Sequence, residues 1–190
     1  MARPIAEDYE IKRRLLMKAA AHVFASEGYS GAGMAGIAAM AGVSKANIYH
    51  YYKNKEDLLF AMLDQYLSEL RETVCSLTLP DDPEEALEVT IRTILRAYRG
   101  EDDMHKVQIN DLGSLPLERQ LPLKAYQKDI IRFVRDRLDA FDVTDSYVVA
   151  MSIFGMLNWF YMWNAGADDS ARDAYAATVT KLVLGGLPRL

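Results

Sequence analysis

Apolar residues recur at helical spacing along almost the whole chain of 190 residues, and this period restricts the possible folds most strongly. Ile11, Leu15, Ala19 and Val23 follow at intervals of four, which places them on one face of an α-helix. No useful length shows the alternation of period two that a half-buried strand requires. The sequence therefore predicts an all-α protein, with helices over about 11–28, 34–41, 45–51, 55–76, 83–99, 103–112, 117–141, 145–164 and 170–184.

The clearest boundary between predicted helices lies at residues 79–85. Asp82 is a suitable N-cap, Pro83 suits the first helical position, and the two glutamates that follow favour the positive end of the helix dipole. Further on, Pro116 and Pro122 leave the start of the predicted helix 117–141 uncertain.

Residues 146–167 form a long segment without formal charge, and its 22 residues would suffice to cross a bilayer. Serine and asparagine residues interrupt it, and its acidic flanks lack the lysine or arginine that anchors a span. Two interpretations stay open, a membrane span and a helix buried on all sides by protein. We favour the second and expect no membrane insertion.

Charge is distributed unevenly along the chain. The net charge is −5, yet residues 1–60 carry a net +2. No acidic residue occurs between Gly28 and Lys55, where the charged residues are Lys45, Lys53 and Lys55. Because the local field decides whether a phosphate backbone can approach, this window is compatible with nucleic acid, although a chance gap would look the same.

Two features of composition concern the compartment. The single cysteine excludes a disulfide scaffold and a cysteine-built zinc site, and it is typical of a reducing cytosol. The first 18 residues mix charges throughout and lack the apolar core of a signal peptide. We therefore expect a cytoplasmic location.

The two short helices predicted around residues 41–44 form a helix-turn-helix. Gly42 supplies the left-handed backbone that the turn needs, and Val43 would be the apolar plug between the helices. Ser44 can cap the second helix because its hydroxyl can accept from an amide of the first turn.

The string from about Ile11 to Leu63 closely resembles the N-terminal domain of TetR-family transcriptional regulators. A later stretch, Gly155–Trp159 with Trp163, looks like the eighth helix of many members. The first resemblance rests on the motifs Gly28-Tyr29, Ile37-Ala38, Ala41-Gly42-Val43-Ser44-Lys45, Ile48-Tyr49 and Tyr51-Tyr52-Lys53-Asn54-Lys55-Glu56-Asp57-Leu58-Leu59.

The resemblance implies two domains. Residues 1–54 would be the helix-turn-helix DNA-binding domain, and residues 55–190 a helical domain for ligand binding and dimerisation, with the helix 55–76 connecting them. A homodimer formed through the last two helices would place two recognition helices about one DNA turn apart, which predicts a palindromic operator.

The resemblance also gives the helix 45–51 the role of recognition helix in the major groove. Asn47 can pair with adenine, Lys45 with guanine or phosphate, and Ala46 can touch a thymine methyl. The expected DNA-binding residues are Ser44, Lys45, Ala46, Asn47, Tyr49, His50, Tyr51 and Lys55. The tyrosines have an alternative role as core aromatics, which we expect for Tyr52.

The chain departs from the family pattern at residues 32–36. Ala32 and Gly33 stand where the family usually has a hydroxyl residue that caps the second helix and binds phosphate. Ala35 and Gly36 replace charged or polar residues. Weaker DNA affinity, or contacts made by backbone amides, would follow.

The effector pocket is expected to combine apolar walls with a few polar groups. Polar-tipped residues on apolar helix faces are the candidates, although such a residue is more often a core or surface residue. A faint resemblance to regulators of fatty-acid, steroid or aromatic-acid catabolism makes an acyl- or aryl-CoA thioester the candidate class. The candidate pocket residues are His105, Gln108, Asn110, Tyr126, Asn158, Trp159 and Trp163.

Two other function classes compete with a ligand-responsive repressor. For an enzyme, neither the three histidines nor Cys75 has a partner at the spacing of a zinc site or an activated nucleophile, and no glycine-rich phosphate loop occurs. We expect no catalytic residue, metal site or cofactor. A protein-interaction module would explain the departures at 32–36, but the window without acidic residues favours DNA.

Overall fold

The computed structural model describes residues 3–186, with side chains from residue 8 onward, and contains helices but no strand within that range. The predicted all-α fold is confirmed. The helices are α1 (Arg3–Gly31), α2 (Met34–Met40), α3 (Lys45–Tyr51), α4 (Lys55–Cys75), α5 (Pro83–Ala97), α6 (Asp102–Asp111), α7 (Leu117–Leu138), α8 (Ser146–Trp163) and α9 (Asp169–Gly186), with 3₁₀ turns at Leu112–Ser114 and Asp139–Phe141.

The helix ends follow the predicted capping chemistry. Ser44 Oγ accepts from the amide of Asn47 at 3.1 Å, and Asp82 Oδ1 accepts from the amide of Glu85 at 2.8 Å. Asp145, which the sequence analysis did not identify as a cap, accepts from the amide of Val148 at 3.0 Å. Each cap satisfies an amide that the first turn of its helix leaves without a partner.

Two helices differ from their predicted bounds by more than two residues, and the first of them, α1, begins at Arg3 rather than near residue 11. Gly28 has a φ of +73° and kinks α1 where we expected its end, but a further helical turn continues to Gly31. The predicted helix 117–141 ends at Leu138, and residues 139–141 form a 3₁₀ turn instead. Its start at Leu117 is clear, with Pro122 inside the helix.

The chain divides into two compact units. Unit 1 contains residues up to Tyr66 together with Asp103–Leu123, and unit 2 contains Leu67–Asp102 with the residues from Lys124 onward. The core of unit 1 includes the fully buried residues Leu16, Ile37, Ile48, Leu58, Leu59, Met62 and Leu63. The core of unit 2 includes Leu87, Ile91, Ile94, Leu95, Val134, Leu138, Ala150 and Ile153.

Within the protomer, helix α8 is buried on one face only, so this chain alone does not supply the predicted burial on all sides. Its inner face carries Ile153, Leu157 and Phe160, which join the core of unit 2. The opposite face is apolar and exposed, including Val148, Met151, Trp159, Met162 and Trp163. The apolar composition of α8 does not indicate which of its residues are buried within one protomer.

Among residues 3–186, no helix combines the length and the apolar character that a membrane span requires.

Arg172 is the one fully buried charged residue among those whose burial the structure describes. Its guanidinium donates to the carbonyl of Ala167 and to that of Leu95, each at 3.2 Å, and to Asp102 Oδ1 at 3.4 Å. It also lies 5.4 Å from the ring centroid of Phe160. A buried cation needs such partners because desolvation alone would be very costly. Arg172 therefore joins α9 to the end of α5 and the start of α6 within unit 2.

Replacement of Arg172 by Met should lower the free energy of unfolding by about 2–3 kcal/mol, because two carbonyls and Asp102 Oδ1 lose the donor that Arg172 supplies. Arg92→Met is the matched control, since Arg92 pairs with Glu88 on the surface of its own helix and such pairs contribute about 0.3–0.5 kcal/mol. Urea unfolding at one protein concentration measures the free energy of unfolding of both variants and of the wild type. Equal losses in the two variants would contradict the structural role of Arg172.

Candidate nucleic-acid interface

Helices α2 and α3 pack together as a helix-turn-helix in unit 1. Gly42 has a φ of +68°, the left-handed conformation expected for the turn. The amide of Val43 then donates to the carbonyl of Ala38 at 3.0 Å, which closes the turn. Ile37 on α2 and Ile48 on α3 are both fully buried, so each short helix is held by its inner face.

The outer face of α3 is exposed and polar. Lys45, Ala46, Tyr49 and His50 are exposed, and Asn47 is half-buried. These residues present an ammonium, an amide, a phenol and an imidazole to the solvent, which are groups that bind base edges and phosphates. Ile48 faces the core, and the helical spacing places these polar residues on the opposite, outer face of α3.

The tyrosines at the end of α3 have different environments. The Tyr51 ring stacks on that of Tyr9 with centroids 4.9 Å apart, and Tyr51 is half-buried. Tyr52 is buried, which confirms its expected place in the core, and burial raises the pKa of its phenol. The stack on Tyr9 is a contact that the sequence analysis did not predict, because it joins residues 42 positions apart.

Lys55 begins α4, but its ammonium points toward the chain itself. Nζ donates to the carbonyl of Tyr29 at 2.6 Å and to that of Ala32 at 2.9 Å, with a third contact to Ser30 at 3.5 Å. It also lies 4.4 Å from the ring centroid of Tyr29. The structure therefore does not place Lys55 on the outer surface beside the exposed residues of α3.

The first turn of α4 is held from two directions within unit 1. Asn54 Oδ1 accepts from the amide of Asp57 at 2.7 Å and caps the helix. From α7, Arg119 pairs with Glu56 at 3.1 Å and with the Asp57 carboxylate. Glu56 and Asp57, the first acidic residues after Lys55, are thus both paired with the Arg119 guanidinium.

Residues 32–36, where the chain departs from the family pattern, show no side-chain cap at the start of α2. Ala35 and Gly36 are exposed. A Cβ added at Gly36 would meet nothing within 4 Å, so packing within the chain does not require glycine there.

The predicted pocket residues are divided between the two units. In unit 1, His105 is buried on α6 with its Nδ1 3.2 Å from the Tyr66 hydroxyl, and Gln108 is half-buried on the same helix. Asn110 is exposed near the end of α6.

In unit 2, Tyr126 and Asn158 are half-buried. Asn158 Oδ1 accepts from the buried Tyr98 hydroxyl at 3.0 Å, and burial raises the Tyr98 pKa far above its ordinary value. Trp159 and Trp163 are 61% and 58% exposed, so they do not line an enclosed cavity of the protomer. They lie on the outer face of α8. Because this segment is apolar almost throughout, its periodicity did not distinguish the outer face from the inner one.

Unit 2 contains a cavity of about 450 Å³ that the sequence pattern does not predict. It lies among α8, α9 and the two residues before α8, and it adjoins the exposed apolar face of α8. Its only sign in the sequence is the apolar spacing within α8 and within α9. That spacing does not show that the two helices are neighbours. The lining residues are Thr144, Asp145, Val148, Val149, Ser152, Met156, Leu182, Val183 and Gly186.

Comparison with protein families gives matches over both parts of the chain. Residues 16–62 match the family of bacterial regulatory proteins of the tetR type, and residues 80–187 match the tetracyclin repressor-like C-terminal domain. The second match alone covers more than half of the chain.

Individual proteins agree with these matches. The HTH-type transcriptional regulator BetI of Rhizobium meliloti (strain 1021) is 35% identical over 88 residues, which are 46% of this chain and 43% of that regulator. The chain thus aligns with less than half the length of this curated relative.

Solved structures cover more of the chain. A TetR-family transcriptional regulator from Bordetella parapertussis 12822 superposes with a TM-score of 0.79 at 30% identity, covering 94% of this chain and 96% of that one. The structure of AibR in complex with isovaleryl coenzyme A and operator DNA superposes with a TM-score of 0.75 at 24% identity, covering 90% and 97%. The second similarity concerns the fold.

Proposed function

Because the chain belongs to the TetR family of bacterial transcriptional regulators, we propose that it is a homodimeric repressor released from a palindromic operator by a small-molecule effector. The observation that carries the DNA-binding site is the outer face of α3. It exposes Lys45, Tyr49 and His50, and no acidic residue lies between Gly28 and Lys55 to repel a phosphate backbone. Ser44, Ala46, Asn47 and Tyr51 complete the proposed contact surface.

A second copy of the chain is the proposed cover for the outer faces of α8 and α9. Met151 and Trp159 on α8 and Leu182 on α9 are exposed large apolar residues in the protomer. Patches of this kind mark interaction sites, and a two-fold interface would use the same face of both copies. Side chains of the partner would also fill the cavity beside Val148 and Leu182.

An acyl-CoA thioester is the proposed effector class. The support is AibR, a protein of the same fold whose structure contains isovaleryl coenzyme A. His105, Gln108, Tyr126 and Asn158 remain the candidate contacts, as polar groups on otherwise apolar helix faces.

In the proposed mechanism, the effector stabilises a state of the dimer in which the two α3 helices no longer match successive major grooves. A coupling free energy of about 1–3 kcal/mol between effector and operator would weaken DNA binding by about 5–150-fold. The protein would act in the cytoplasm, where bacterial DNA lies, and the proposal includes no catalytic step.

Lys45→Ala and Tyr49→Ala should each weaken binding to the operator at least tenfold, because each removes an exposed contact of α3 and nothing from the core. The operator is first obtained by selecting bound duplexes from a random pool, and affinities are then measured by fluorescence anisotropy. Lys128→Ala, on α7 in unit 2, is the control for loss of one exposed lysine. Wild-type affinity in both α3 variants would refute the assigned site.

Leu182→Glu should convert the dimer into monomers of 21.4 kDa, because the carboxylate would be buried without a partner in the proposed interface. Leu117→Glu is the matched control, since Leu117 is 65% exposed and Leu182 63%, but Leu117 lies on α7 in unit 1. Multi-angle light scattering measures both masses. A dimer that survives Leu182→Glu would place the interface elsewhere.

A panel of CoA thioesters of increasing acyl length should raise the melting temperature of the protein above its value with free CoA, because a ligand that binds the folded state stabilises it. The best ligand should also lower operator affinity. If no thioester exceeded free CoA, the effector class would be wrong, while the DNA-binding assignment would be unaffected.

A further inference from the structure

The ammonium of Lys55 already uses its donors within the protein. A lysine has three N–H donors, and the Lys55 ammonium has three carbonyl oxygens around it, from Tyr29, Ser30 and Ala32, at 2.6, 3.5 and 2.9 Å. The Tyr29 ring lies against the same group at 4.4 Å. To bind a phosphate, Lys55 would have to leave the first and last of these carbonyls without their donor.

These carbonyls belong to the segment that follows the kink at Gly28 and leads into α2. Carbonyls at a helix C-terminus carry partial negative charge and bind cations favourably. On its other side the segment is held by Asp111, whose carboxylate accepts from the amide of Tyr29 at 3.3 Å. Lys55 therefore fixes the start of α2 relative to α4, and α2 in turn packs on α3.

Lys53 is in a different situation. It is exposed in the short connection between α3 and α4, two residues after the last residue of α3. Within the part of the chain that the structure describes, its ammonium has no ion pair or hydrogen bond, whereas Lys12 is bound to Asp8 at 2.7 Å. No acidic residue precedes it back to Gly28. Lys53 is thus a cation in the connection after α3 whose donors are available to a ligand.

We propose that Lys53, rather than Lys55, binds the DNA phosphate backbone beside the recognition helix, and that Lys55 is a positioning residue that holds the start of α2. This inference rests on the proposed function and deepens it, because it reassigns one expected phosphate contact and adds another. It follows from the carbonyl contacts of Lys55 and the exposure of Lys53, neither of which the sequence spacing reveals.

The test uses the dependence of operator affinity on salt, which reports the number of phosphate contacts. Each contact contributes about 0.9 to the slope of log K against log salt, so a residue that contributes one contact from each protomer accounts for about 1.8. The full-length wild type, Lys53→Met and Lys55→Met are titrated on the selected operator. Lys128→Met is the control for the loss of an exposed positive charge in unit 2.

Lys53→Met should reduce the slope by about 1.8, weaken binding several-fold at physiological salt, and leave the melting temperature unchanged. Lys53→Arg should restore the slope, since it restores the charge. A wild-type slope in Lys53→Met would overturn the assignment of Lys53.

Lys55→Met should lower the melting temperature and weaken binding by about the same factor at every salt concentration, so that its slope stays near that of the wild type. If this variant does not fold, Lys55→Gln replaces it, because the amide keeps two donors for the carbonyls without the charge. A slope reduced by about 1.8 in either variant would show a phosphate contact and overturn the positioning role.

The proposed function and this inference fail in different ways. If the wild type selects no duplex, the regulator assignment itself falls, and this inference falls with it. If the wild type binds with a steep salt slope but Lys53→Met is indistinguishable from Lys128→Met, the regulator assignment stands and only the inference is wrong.

Discussion

Burial of the inner faces of two very short helices is the constraint on which the DNA-binding part of this protein depends. Helices α2 and α3 have seven residues each, and isolated helices shorter than about 12 residues are marginal in water. They persist because Ile37 and Ile48 are fully buried in the core of unit 1. The same burial turns Lys45 and Tyr49 outward, so the exposed face that we propose for DNA binding is a consequence of the core.

The last positive charge of the window between Gly28 and Lys55 and the acidic residues that follow it are held by contacts that are distant in sequence. Lys55 is 26 residues from Tyr29, and Arg119 is more than 60 residues from the two acidic residues that it pairs with in α4. One lysine is thereby used within the protein, while Lys53 stays exposed. The number of positive charges in the window is readable from the sequence, but their division between structural and binding roles depends on where the chain folds back.

Unit 2 has more apolar helix surface than one protomer buries. Helix α8 packs one face into the core and exposes the other, including Trp159 and Trp163, and α9 exposes Leu182 beside it. Exposure of such an apolar surface to water is unfavourable, and for this reason we propose that a second copy of the chain covers it. Buried Arg172 holds α9 against α5 within this unit.

The sequence by itself determined the helical fold, most helix bounds, the caps at Ser44 and Asp82, the turn at Gly42 and the family. These depend on local chemistry, because a period, a capping side chain or a left-handed glycine is visible within a few residues. Only the tertiary structure decided that Lys55 faces carbonyls, that Tyr51 stacks on Tyr9, that the tryptophans of α8 lie outside, and that α8 and α9 form a cavity. Each of these depends on which distant segments meet, and the periodicity of one helix carries no information about its neighbour.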